Sequence, residues 1–230
     1  MKRQHEQSII DAFKEIFYLK CNQLGEAVYL SASLDGQDNH LGADYLFSLD
    51  TKFILIEFKY EKGDIKDEKN KLLRKCLCES FDLEKEYIDK DKFNKHIQCH
   101  FISWSDKYNN DRKIFIGNYA EFVCLPVFGI VTPCTKNVQE KEASIFIEDF
   151  ILSKQKIGLT FNDFNLYIEW LLETCSSLDS DNRSIELIIS NPNNPTILSE
   201  FNNLHELNNF ILELKRNNLD SKPDYPKPKF

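Results

Sequence analysis

The order of elements read along the chain predicts an α/β (α+β) fold, a mixed central sheet flanked by helices. That order is a helix, a strand, a hairpin, a second helix, more strands and a mixed tail. Three observations carry it. Residues 6–20, EQSIIDAFKEIFYLK, place Ile9, Ile10, Phe13, Ile16 and Phe17 at the 3.6-residue period of an amphipathic helix. Two apolar runs, ADYLFSL (43–49) and KFILIEFKY (52–60), flank a tight Asp50-Thr51 connection, which is a hairpin signal. A charged stretch then separates this hairpin from a third apolar run, IQCHFISW (97–104).

The elements follow in order. AVYLSAS (27–33) reads as a strand, and LDGQDNHLG (34–42) is turn-rich in Gly, Asp and Asn. After the hairpin, residues 65–87 read as a long charged helix with Ile65, Leu72, Leu73, Cys76 and Phe81 on its inner side. Strands are expected at 97–104 and 112–119. Residues 138–154 read as a helix, and so do 160–175, with Thr160 as N-cap. SIELIIS (184–190) is a strand, NPNNP (191–195) a loop and LHELNNFILELKR (204–216) a helix. The Pro- and Lys-rich end is expected to be extended and mobile. The organisation is a core over 1–135, a mainly helical α/β extension over 136–220 that is either a lobe or part of the same domain, and a tail over 221–230.

Composition narrows the function. The 230 residues are 42% hydrophobic and 29% charged, enough for one sizeable domain. No run of about 18 apolar residues occurs, so no membrane span is expected. MKRQHEQSII lacks the apolar core of a signal peptide, and the expected location is cytoplasmic. The seven cysteines are odd in number and contain no C-x-x-C pair, which favours buried reduced thiols over structural zinc. A net charge of −8 argues against unaided binding of nucleic acid. No G-x-x-x-x-G-K-[ST] loop or G-x-S-x-G elbow is present.

One strand breaks its own pattern. FILIEFK (53–59) is apolar except for Glu57 and Lys59, two residues apart. Alternation puts Phe53, Leu55, Glu57 and Lys59 on one face, and Ile54, Ile56 and Phe58 on the other. On the partner strand Asp44, Leu46 and Ser48 share a face, so Asp44, Glu57 and Lys59 gather on one sheet surface. Isolated charges there are costly. Two carboxylates and a lysine are less so, and they suit Mg²⁺, which takes oxygen ligands and keeps several waters. Such a cation polarises a phosphate and lowers the pKa of its water, while a lysine steadies the developing charge.

GADYLFSLDTKFILIEFK (42–59) resembles the signature hairpin of the PD-(D/E)XK nuclease superfamily, the restriction-endonuclease-like and Holliday-junction-resolvase-like enzymes. Asp44 matches the motif aspartate and Glu57-Phe58-Lys59 the E-x-K element, thirteen residues on. The proline often found before the aspartate is Ala43 here. The resemblance covers roughly residues 5–105. It implies a restriction-endonuclease-like core, with Asp44, Glu57 and Lys59 catalytic. It also implies Mg²⁺, or Mn²⁺ in its place, held by Asp44, Glu57 and the main-chain carbonyl of Phe58. Family members often add a glutamate from the first helix. Among Glu6, Glu15 and Glu26, only Glu6 lies on the Ile10–Phe13–Phe17 stripe.

Bare D/E-x-K triplets recur by chance, for example Asp64-x-Lys66, Asp111-x-Lys113 and Glu213-x-Lys215, so it is the apolar strand and the hairpin that single out Glu57 and Lys59. The competing reading is an edge strand with a solvated Glu–Lys pair. Lys62, Lys66, Lys69 and Arg74 are candidate DNA contacts, against a solvated helix face laced by i,i+4 pairs. His100 faces either the site or the core. The function expected is a metal-dependent DNA endonuclease within a multi-protein system of defence, restriction, recombination or repair. A homodimer or a protein partner would supply grip or targeting. The alternative is a non-catalytic subunit that keeps the fold.

Overall fold

The computed structural model describes residues 2–26, 28–34, 41–85, 88–133, 139–153, 156–175, 187–191 and 194–220. Helix α1 (Lys2–Leu24) leads into β1 (Tyr29–Ser33), β2 (Tyr45–Leu49) and β3 (Lys52–Glu61). A 3₁₀ run (Lys62–Asn70), α2 (Leu72–Glu79) and α3 (Lys90–Cys99) return the chain to β4 (His100–Tyr108) and β5 (Asp111–Asn118). A π turn (Ala120–Cys124) and a short helical turn (Leu125–Phe128) follow. Then come β6 (Lys141–Glu142), α4 (Ala143–Ile151), β7 (Leu159–Thr160), α5 (Phe161–Cys175), β8 (Leu187–Asn191), β9 (Asn194–Phe201) and α6 (Leu204–Asp220).

The described strands form one nine-stranded mixed sheet in the order β6-β5-β4-β3-β2-β1-β8-β9, with β7 pairing to β3. β3 and β4 run parallel, Glu57 beside Ile102 and Lys59 beside Trp104, and the other pairs are antiparallel. A parallel neighbour requires a crossover, and the segment 62–99 supplies it.

Alternation along β3 divides the core into two layers. Ile54, Ile56 and Phe58 pack with Ile9, Ile10, Phe13 and Phe17 of α1 and Phe146, Ile147 and Phe150 of α4. Phe13 meets Phe47 and Phe58 edge-on at 5.3 Å each, contacts worth about 0.5–1.5 kcal/mol beyond area burial. On the opposite face Phe53 and Leu55 pack with Leu77, Phe93, Phe164, Tyr167 and Leu171. Residues beyond 135 therefore contribute to the same sheet and to both layers.

Several expected elements differ. The helix expected over 65–87 is a 3₁₀ run and a short α-helix, separated by the extended Lys71 (φ −101°, ψ 102°). Residues 97–99 end helix α3, whose N-cap Asp89 accepts from the N–H groups of Asp91 and Lys92, and the strand starts at His100. The loop expected at 191–195 contributes Asn191 to β8 and its last residues to β9. Among the described residues β9 ends the sheet. Cys78 and Cys124, expected as thiols, form a disulfide, whereas Cys21, Cys76 and Cys99 are free. The expectations for the tail, for most of the turn at 34–42 and for the start of the strand at 184–190 lie outside the described residues. No helix among the described residues is long and apolar enough to cross a membrane.

Candidate active site

The site is built where β2 begins and β3 nears its end. Asp44 directly precedes β2 and grips β3 on both sides of Glu57. Its main-chain N–H donates to the Ile56 carbonyl (3.0 Å), and its Oδ2 accepts from the Phe58 N–H (2.6 Å). Two neighbours fix the approach to Asp44. Gly42 adopts φ +76°, and a Cβ there would lie 2.9 Å from His100 Cε1 and 3.1 Å from Arg74 Nη1. The Gly42 carbonyl accepts from His100 Nε2 at 2.7 Å.

That bond settles the protons behind the site. A carbonyl only accepts, so His100 Nε2 carries the hydrogen and Nδ1 accepts from the Tyr167 hydroxyl at 2.8 Å. Having spent its proton, the Tyr167 oxygen accepts from His96 Nδ1, also at 2.8 Å. Burial pushes the His100 imidazole down to about 4, and the chain runs through neutral rings. His100 is thus a core histidine that anchors the residues leading into Asp44.

Glu57 and Lys59 point from β3 onto the face covered by the 3₁₀ run and α2. Glu57 is fully buried, as is Glu68. Three cations lie between these carboxylates. Lys59 Nζ donates to Glu57 Oε1 and lies 2.9 Å from Glu68 Oε1. Lys71 Nζ reaches the same two oxygens at 2.7 and 3.1 Å. Arg74 Nε donates to Glu68 Oε2 at 3.1 Å, and Arg74 Nη2 lies 3.6 Å from Glu57 Oε2. The Tyr119 hydroxyl also donates to Glu68 Oε2, at 2.8 Å.

Burial raises the Asp44 carboxyl well above its usual range, and the Glu57 charge raises it further, outweighing Lys59 and the Phe58 N–H. Burial alone would raise Glu57 too, but Lys59, Arg74 and Lys71 hold it below the carboxylate range. For Lys59, burial favours the neutral amine, and the charges of Glu57, Glu68 and Asp44 overcome it and keep the ammonium. Glu6, half-buried on α1, is raised by burial and feels Lys59, Glu57, Lys71 and Glu68. The first helix therefore brings Glu6 within electrostatic reach of the cluster.

No three His, Cys, Asp or Glu side chains among the described residues form a ready metal cage. The donor chemistry nonetheless fits a hard divalent cation, which needs one or two carboxylates and completes its shell with water. Burial and then the Glu57 charge raise the Asp44 carboxyl, and buried Oε2 of Glu57 accepts no hydrogen bond. Both features are what a cation would relieve.

The other sequence candidates are placed differently. Lys62 is exposed, pairs with Glu140 and lies 5.3 Å over the Trp104 ring. Lys66 and Lys69 are exposed. Arg74, a candidate DNA contact, is 1% exposed and belongs to the carboxylate cluster, which corrects that expectation. Glu68, Lys71 and Tyr119 were not singled out by sequence. The signal that finds Glu68 and Lys71 is the three-residue period of a 3₁₀ helix, which aligns Ile65, Glu68 and Lys71, whereas a 3.6-residue wheel selects Lys69. Comparison with protein-family models, curated proteins and solved structures finds no match for the chain.

Proposed function

We propose that this chain is a metal-dependent deoxyribonuclease of the PD-(D/E)XK type that hydrolyses phosphodiester bonds. The observation that carries the reading is the meeting of Asp44, Glu57 and Lys59 where β2 and β3 part, with Glu6 close enough to feel their charges. The order around it supports the same reading: a helix, three antiparallel strands, a crossover and a parallel fourth strand. Mg²⁺, or Mn²⁺ in its place, would be held by Asp44, Glu57 and the Phe58 carbonyl, with Glu6 adjacent, and would polarise the phosphate and acidify a bound water.

The chain's own residues supply the rest. Lys59, kept as an ammonium between two carboxylates, donates to the phosphate or orients the attacking water and does not act as a base. Lys71, partly exposed, brings a second ammonium to the same edge. The Phe58 N–H orients the Asp44 carboxyl. A homodimer or protein partner completes the grip on DNA, within a defence, restriction, recombination or repair system.

One observation favours a second reading. Glu57 and Glu68 are fully buried against three cations, an arrangement that also suits a structural network in a non-catalytic subunit. Incubation of supercoiled and linear DNA with Mg²⁺, Mn²⁺ or EDTA separates the two. The nuclease reading expects cleavage with either metal and none in EDTA. Cleavage persisting in EDTA contradicts the mechanism, and inactivity with every metal supports the structural reading.

A further inference from the structure

A ladder of flat groups stands beside the cluster. Arg112, near the start of β5, lays its guanidinium on the Tyr60 ring, 4.2 Å from the centroid. Glu61 and Ser105 fix its plane: Nε donates to Ser105 Oγ at 2.9 Å, and Nη2 donates to Glu61 Oε1 at 2.8 Å. Ser105 is fully buried and donates in turn to the Tyr60 carbonyl at 2.6 Å. The His5 ring of α1 also lies against Tyr60, with centroids 5.0 Å apart and planes 30° from parallel. His5 is exposed and Tyr60 half-buried. Among the described residues Arg112 Nη1 has no hydrogen-bond acceptor. Alternation turns Tyr60 to the α1 side of β3. Each ring residue is nonetheless the chain neighbour of a site residue. Tyr60 follows Lys59, and His5 precedes Glu6, which feels the charges of Lys59 and Glu57. Ladder and site therefore meet where β3 ends.

We propose, resting on the nuclease reading, that His5, Tyr60 and Arg112 form a subsite for an unpaired nucleotide beside the scissile phosphate, so that the substrate is DNA with single-stranded nucleotides at a duplex end or junction. Any base can stack on an aromatic face, whatever its identity. Inside a duplex a base is already stacked and paired, and only an unpaired one offers a face without the cost of extrusion. The exposed His5 ring presents such a surface, and Tyr60 backs it. Arg112 keeps its charge at any working pH, its fork is already held, and Nη1 supplies donors for the phosphate of that nucleotide. A brace for the end of the sheet is complete with Glu61, Ser105 and Tyr60 and has no use for an exposed imidazole. In a chain of net charge −8, stacking also supplies affinity that does not depend on phosphate charge.

The test measures binding of the full chain in EDTA, where no cleavage is expected, to a short blunt duplex and to the same duplex with a 5′ or a 3′ overhang. The overhang carries 2-aminopurine, whose fluorescence falls when it stacks, and the folding of each variant is checked by circular dichroism. One polarity of overhang is expected to bind about tenfold tighter than the blunt duplex, with its fluorescence quenched. His5→Ala is expected to cut that preference by about threefold or more and to lose the quenching, while His5→Phe keeps both. Arg112→Gln is expected to lower the slope of log affinity against log salt for the overhanging duplex by about one. Equal binding of blunt and overhanging duplexes, a preference and quenching that survive His5→Ala, or an unchanged slope in folded Arg112→Gln overturns the proposal, even where Mg²⁺-dependent cleavage is found. Should Arg112→Gln not fold, the variants of exposed His5 decide alone. An overhang preference that His5→Ala removes, in a chain that cuts no DNA with any metal, upholds the nucleotide subsite and removes the nuclease reading.

Discussion

Asp44 is where the demands of the fold and of the chemistry diverge. Its carboxyl is raised by burial and by Glu57, so the folded chain binds a proton there at pH values where the unfolded chain has released it. The sign follows: stability is present below the unfolded pKa and is lost as pH rises toward the folded one. Asn keeps an acceptor for the Phe58 N–H and carries no charge. Asp44→Asn should therefore melt higher than wild type at neutral pH without divalent cations. The gap should open as pH rises above about 4 and flatten above the folded pKa. Equal melting curves across that range, measured by calorimetry, would remove the electrostatic account of Asp44.

At the scale of elements, the hairpin was the most legible part of the chain. Alternation in KFILIEFKY assigned both faces of β3, because a strand with a core on each side leaves few positions for charge, and two charges on one face stand out. The crossover was less legible. Its lysines and acids fit an α-helical wheel, and nothing in KGDIKDEKN distinguishes that wheel from the tighter 3₁₀ winding the chain adopts. The α-helical wheel selects Lys69, whereas the 3₁₀ winding turns Glu68 inward beside Ile65. Tyr119 was hidden for another reason, since it reaches the site from the end of β5, 51 residues from Glu68. The approach to Asp44 offers its own test. Gly42→Ala would place a Cβ against His100 on backbone of positive φ, a strain of about 1–3 kcal/mol. We expect a lower melting temperature and a loss of cleavage out of proportion to the unfolded fraction. Full activity in the folded variant would mean that Asp44 does not depend on this anchor.

For the whole molecule, charge sets the terms of the DNA binding that the proposed function requires. The chain carries 37 acidic and 29 basic residues. The local basic segment at 59–75 is weaker at the surface than it looks in sequence, because Lys59 and Arg74 are buried and Lys71 is half-buried in the cluster. Of its outer lysines, Lys62 pairs with Glu140 and Lys75 with Glu79. Phosphate contacts by Lys and Arg dominate affinity for DNA, so the isolated chain should bind short duplexes more weakly than about micromolar at physiological salt. A monomer by light scattering that binds DNA tightly by itself would remove the need for a partner or second copy. The central claim, that Asp44, Glu57 and Lys59 form a divalent-cation-dependent phosphodiesterase site, is tested most directly by the single-turnover rate of DNA cleavage in Mg²⁺ for Asp44→Asn and wild type at equal folded concentration. The account predicts a rate at least about a hundredfold lower in a variant at least as stable as wild type. Cleavage by Asp44→Asn at the wild-type rate would contradict it.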